Sequence, residues 1–146
     1  MTSVKAAGSY PEDEWHVPLL MGLVFRQVHQ AFEGEDWGGL RQSHFRVVSA
    51  VPAGGINVTD LGERTGMSKQ GCGQFVTFLV ASGHLAEKPD PHDKRVRLVS
   101  RTPKGTRLIR SVTARMLQLE DGWAARVGER RYATFRRVLE EIALGK

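Results

Sequence analysis

Seven basic residues crowd into positions 88–107: Lys88, Lys94, Arg95, Arg97, Arg101, Lys104 and Arg107. Only Asp90 and Asp93 oppose them, so this stretch carries a surplus equal to the +5 of the whole 146-residue chain. Guanidinium and ammonium groups at that density bind phosphate by charge and by charge-assisted hydrogen bonds. A second set lies upstream, at Lys69, Gln70, Gln74 and Thr77. Lysine and amide side chains match the edges of guanine and adenine respectively. The chemistry on offer is phosphate neutralisation beside base reading.

Bond-making chemistry has no comparable basis. The chain contains no Gly-x-Ser-x-Gly, no phosphate-binding loop and no dinucleotide fingerprint. Glu140-Glu141 reads as the solvated side of an amphipathic helix. No catalytic residue and no cofactor are expected, so the chain is not read as an enzyme. The five histidines, His16, His29, His44, His84 and His92, lack the short helical spacing of a typical zinc site. No metal site is expected.

These side chains need elements to hold them. Arg95-Val-Arg-Leu-Val99 alternates basic and apolar residues, the period of a strand with one buried face. His84–Lys88 and Val96–Ser100 are read as the two strands of a hairpin, joined by a turn rich in Pro and Asp. Thr102-Pro103 then reads as a helix cap with proline in the first turn. Upstream, Asn57 caps a short helix, with Asp60 three residues on as a capping-box-like partner. Gly66 ends that helix, and Ser68 caps the next one at once. Two helices joined by so tight a turn make a helix-turn-helix.

In the second of these helices, Lys69 to about Ser82, Cys72, Phe75, Val76 and Leu79 form the apolar stripe. The opposite face carries Lys69, Gln70, Gly73, Gln74 and Thr77 and no acid, so it can approach phosphates without repulsion. Gly71 and Gly73 each cost about 1 kcal/mol of helix stability against alanine, for close approach to DNA or for no functional reason. Other helices are predicted over His16–Phe32, Leu40–Val51, Pro103–Val127 and Arg130–Leu144. The second of these aligns Leu40, His44, Val47, Val48 and Val51 on one stripe.

The fold expected is mainly α with a small β-hairpin wing: a winged helix-turn-helix over about 40–101, within a single domain over 15–146. Helices at about 15–34 and 103–146 are left for dimerisation, and residues 1–14 read as a flexible arm. Apolar content of 40% is ordinary for a globular chain, and no apolar run spans a bilayer. A lone cysteine forms no intrachain disulfide, which fits the reducing cytoplasm.

Asn57-Val-Thr-Asp-Leu-Gly-Glu-Arg-Thr-Gly-Met-Ser-Lys-Gln, Gly83-His-Leu, Asp93-Lys-Arg and Arg101-Thr-Pro-Lys-Gly resemble, in order and spacing, the MarR family of winged helix-turn-helix regulators. The resemblance covers about residues 16–144. It implies a homodimer built by the first and last helices, a recognition helix in the major groove and a wing at the minor groove. It makes Arg95 the wing arginine, Asp93 the acid bracing it, and Ser68, Lys69 and Gln70 the start of the recognition helix. Gln74 and Phe78 depart from the basic residues the family often carries there.

The partners expected are double-stranded DNA, a second copy of the chain and a small apolar or aromatic effector. DNA-contact candidates are Ser68, Lys69, Gln70, Gln74, Thr77, Lys94, Arg95 and Arg97, with Asp93 as brace. Effector candidates are His44, on the inner stripe of its helix, with Trp37 and His16. Leu20, Val24, Phe135, Val138 and Ile142 are the expected dimer surface. A ligand-responsive repressor on a pseudo-palindromic operator is the leading reading. The alternatives are a redox sensor working through Cys72 and a sequence-neutral DNA-binding protein. Cys72 lies near a helix start and Lys69, which favours thiolate, but also on the apolar stripe, where it packs.

Overall fold

A computed structural model of the chain describes residues 15–146. The arm read over 1–14 lies outside the described residues. The chain divides at Gly39/Leu40 into two units. The division falls at Gly38-Gly39, where both glycines take positive φ.

In the first unit, α1 spans Val17–Glu33. His16 caps it, its Nδ1 accepting from the Leu19 N–H at 3.2 Å, and Pro18 sits in the first turn, where a missing N–H costs nothing. Phe32 packs on Trp37 with ring centroids 5.2 Å apart. Leu20 and Val24 are exposed.

The second unit runs α2 (Gln42–Ala50), β1 (Ile56–Asn57), α3 (Val58–Thr65), α4 (Lys69–Ala81), β2 (Leu85–Pro89), β3 (Arg97–Arg101), α5 (Pro103–Val127) and α6 (Glu129–Leu144). Its core is Val47, Val48 and Val51 from α2 and its end, Leu61 from α3, Cys72, Val76 and Leu79 from α4, and Leu85 and Val99 from the sheet. The stripes read on α2 and α4 are therefore the buried ones, except that Phe75 is only half-buried. Gly66 takes φ 70°, the left-handed value a helix C-cap requires. Ser68 caps α4 by accepting from the Gly71 N–H at 3.0 Å.

The sheet has order β1-β3-β2, all antiparallel. Sequence periodicity predicts only the hairpin. It misses β1, because two residues are too short to show a period. Ile56 pairs with Val99, which places β3 in the centre. Both wing strands also start one residue later than expected. The His84 N–H is spent on the Leu79 carbonyl, closing the end of α4. Val96 is held in the turn, its N–H on the Asp93 carbonyl and its carbonyl taking the Asp90 N–H. Arg95 and Val96 therefore belong to the wing tip, and within β3 only Val99 is fully buried.

The α4–wing–α5 junction is tightly tied. Thr102 Oγ1 accepts from the Gly105 N–H at 3.1 Å, capping α5, and donates to the Gly83 carbonyl at 2.6 Å. A Cβ on Gly105 would fall on the His84 carbonyl oxygen, so that glycine is obligatory. Farther along, α6 is fixed to α5 by Tyr132 donating to Glu120 at 2.7 Å, with Arg136 on the same carboxylate. Burial and the Glu120 carboxylate push the Tyr132 phenol up to about 12.

Candidate nucleic-acid interface

The outer face of α4 presents Lys69, Gln70, Gln74 and Thr77, all exposed. Core packing makes it so. Cys72, Val76 and Leu79 must point into the core, which turns Gln70 and Gln74 outward. The first turn of α4 keeps spare N–H groups and a partial positive charge, which suits approach to an anion. Thr77 Oγ1 donates back to the Gly73 carbonyl at 2.9 Å, leaving its oxygen as an acceptor.

The wing tip is built by its two aspartates. Asp90 Oδ1 accepts from the His92 N–H at 2.8 Å, and Asp93 Oδ1 from the Arg95 N–H at 3.1 Å. Each closes a short side-chain turn. Asp93 also grips the Arg95 guanidinium twice, Nε to Oδ1 at 3.1 Å and Nη2 to Oδ2 at 3.2 Å. Those bonds hold the Asp93 carboxyl below its usual range. Arg95 is nevertheless 91% exposed. A planar cation is thus aimed in solvent without being buried. Lys94 and Arg97 are exposed beside it.

Two residues of the basic stretch work otherwise. Arg101 Nη2 donates to the Val51 carbonyl at 2.8 Å and the Ser49 carbonyl at 3.3 Å, at the end of α2. Lys104 Nζ donates to the Ser82 carbonyl at 2.8 Å, at the end of α4. Both satisfy helix C-terminal carbonyls, where a cation also meets the negative end of the dipole. The charge count cannot separate them from the solvent-facing cations, since the separation is tertiary.

The effector candidates have local roles. His44 Nδ1 accepts from the Arg41 N–H at 2.9 Å, one half of a capping box at the start of α2. Its ring contacts Phe78 at 5.0 Å and Phe75 at 5.2 Å between centroids. Burial and the nearby Arg41 charge lower its pKa, so the imidazole is neutral at pH 7. Trp37 and His16 lie in the first unit, on Phe32 and at the α1 cap. A groove of about 360 Å³ runs along α5, lined by Arg101, Arg110, Ile109 and Leu117 among others. A second, of about 430 Å³, shares Arg101 and reaches Arg64. Neither is lined by the three effector candidates. The Nε of Arg101 is buried without a hydrogen-bond partner among the described residues.

Cys72 is fully buried. Burial pushes its thiol above the usual range, against a weaker pull from Thr65. A sensor thiol needs exposure and a depressed pKa. Sequence reading also gave no weight to Phe78 beyond its departure from the family pattern, although it is 48% exposed on α4. Among the described residues, no group of His, Cys, Asp or Glu side chains is arranged to hold a metal, and no helix is long and apolar enough to cross a membrane.

An exposed, acid-free helix behind a tight turn, flanked by a basic hairpin, defines a winged helix-turn-helix. The MarR family model matches residues 39–96, and this segment is a MarR-family segment. No curated protein matches by sequence. Among solved structures, the chain is similar to the PcaV transcriptional regulator from Streptomyces coelicolor, in complex with its natural ligand. That match has 22% identity and a TM-score of 0.69, over 98% of this chain and 97% of that one. It is also similar to Bordetella bronchiseptica BpsR, whose DNA binding is regulated by 6-hydroxynicotinic acid. There the identity is 20% and the TM-score 0.70, over 87% and 98% of the two chains. CouR from Rhodococcus jostii RHA1, bound to p-coumaroyl-CoA, matches at 23% identity and TM-score 0.66, over 89% and 90%. The fold is that of MarR-family transcriptional regulators.

Proposed function

We propose that this protein is a homodimeric, sequence-specific regulator of transcription that binds double-stranded DNA and is released from it by a small effector. The observation that carries the reading is the pairing of an exposed, acid-free α4 face with a wing arginine held out by Asp93. Lys69, Lys94, Arg95 and Arg97 would supply salt-dependent affinity. Gln70 and Gln74 would supply base choice, with Ser68 and Thr77 beside them. Release by an effector makes it most simply a repressor, working in the cytoplasm.

Dimerisation rests on apolar residues that the chain leaves in water. Phe135, Val138 and Ile142 of α6 are exposed, as are Leu20 and Val24 of α1. Two-fold symmetry would then favour a pseudo-palindromic site. Selection of bound duplexes from a random pool should enrich such a sequence. A pool that stays random would make the protein a sequence-neutral DNA binder.

The effector class follows from BpsR and CouR, whose ligands are an aromatic acid and an aromatic acyl thioester. An arginine-lined apolar groove suits a carboxylate on a flat apolar body. We place the effector along α5, between Arg101, Arg110 and Leu117. A ligand can weaken DNA binding only by its different affinity for the two conformations. Arg110→Gln should blunt release by a panel of aromatic acids without changing ligand-free DNA affinity. If His44→Ala blunts release and Arg110→Gln does not, the pocket belongs to α2.

A further inference from the structure

Gln70, Gln74 and Phe78 lie at i, i+4 and i+8 on α4, and all three are exposed. That spacing makes a single ridge along the helix, about 12 Å from first to last at 1.5 Å per residue. Phe78 continues the ridge that Gln70 and Gln74 begin, toward the C-terminal end of α4.

Phe78 is held before DNA arrives. Its ring lies against His44, centroids 5.0 Å apart and planes tilted by 38°. Phe75 meets His44 edge-on at 5.2 Å, and the Arg41 N–H fixes the imidazole through Nδ1. One side of the Phe78 ring is thus supported, while 48% of the residue stays in water. A benzyl group neither donates nor accepts hydrogen bonds. The apolar feature that base edges offer in the major groove is the C5-methyl of thymine.

We propose that Phe78 is a specificity-determining residue that reads a thymine methyl beside the bases met by Gln70 and Gln74, with His44 as the positioning residue behind it. The proposal rests on α4 being the recognition helix. It adds an apolar contact to a face whose other groups are polar.

Deoxyuridine provides the test, because it removes the methyl and nothing else. The full chain is used to select a duplex from a random pool. Each thymine of that duplex is then replaced in turn by deoxyuridine, and affinity is measured. Wild-type protein should lose about fourfold at the contacted thymine, the worth of one buried methyl. Phe78→Ala and Phe78→Gln should bind the thymine and deoxyuridine duplexes equally there, and Phe78→Leu should keep part of the difference. His44→Ala should reduce it while leaving Phe78 in the sequence. Two alanine- and glutamine-type variants guard against one that fails to fold. The proposal is overturned if no thymine position responds in wild type, or if Phe78→Gln responds as wild type does. If Gln70→Ala still shifts the selected sequence, only the Phe78 assignment has failed. If no sequence is enriched, the recognition-helix reading has failed with it.

Discussion

At Gly105 one hydrogen atom decides whether the wing can dock on α5. A methyl group there would overlap the His84 carbonyl oxygen, backbone that cannot swing away. Gly105→Ala should destabilise the protein by about 3 kcal/mol, read as a lowered urea midpoint at unchanged slope. The neighbouring histidines set a pH dependence. Burial lowers the pKa of both His44 and His84, with Arg41 assisting at the first and Lys104 at the second. As pH falls, the unfolded chain takes up these protons first, near the ordinary value of 6.5. Their contribution to stability is therefore complete above that pH and is lost as pH drops through the lower folded values. His44→Gln keeps an acceptor for the Arg41 N–H, since Gln is a natural capping-box residue. Its stability should fall less steeply between pH 6.5 and acid than wild type, in thermal melts across pH. An equally steep fall would show that His44 does not titrate in this window.

At the scale of elements, α4 balances helix stability against its surface. Gly73 meets little of the protein, its added Cβ reaching only a Val58 methyl at 4.0 Å. Gly73→Ala should therefore stabilise α4 by about 0.5–1 kcal/mol. A simultaneous loss of DNA affinity would mean that the glycine serves close approach. The same elements show what a sequence displays and what it hides. The caps at Asn57, Ser68 and Thr102 were legible because capping is local chemistry, settled within three residues. The stripes of α2 and α4 were legible because burial repeats with the helix. The strand Ile56–Asn57 was not, because it exists only by pairing with residues more than forty positions away. Nor were the roles of Arg101 and Lys104, whose carbonyl partners belong to other helices. The wing aspartates were half legible. Their turn chemistry is local, but the two-point grip on Arg95 depends on a side-chain geometry that composition does not carry.

At the scale of the molecule, the exposed apolar residues of α6 are the basis of the proposed dimer. Ile142 is 75% exposed and Phe135 54%. Light scattering at micromolar concentration should give twice the 16.2 kDa of the chain. Ile142→Glu should shift the equilibrium toward monomer and weaken operator binding with it, because one lobe alone engages half a site. A wild-type protein that scatters only as monomer would rule out a symmetric operator.

The central claim is that in the proposed complex the wing, with Lys69 at the start of α4, carries phosphate affinity, and Gln70 and Gln74 of α4 carry sequence choice. Fluorescence anisotropy on a selected duplex, repeated across salt concentrations and base substitutions, tests it most directly. Arg95→Ala should bind more weakly, its base preference unchanged, with a salt slope shallower by about 0.9 for each phosphate it no longer neutralises. An Arg95 that instead enters the minor groove would show a loss depending on local A·T content. Gln70→Ala should keep the wild-type slope and give up about 1–3 kcal/mol of discrimination at one base pair. If both variants keep wild-type affinity, slope and preference, this winged helix does not bind DNA in the way described.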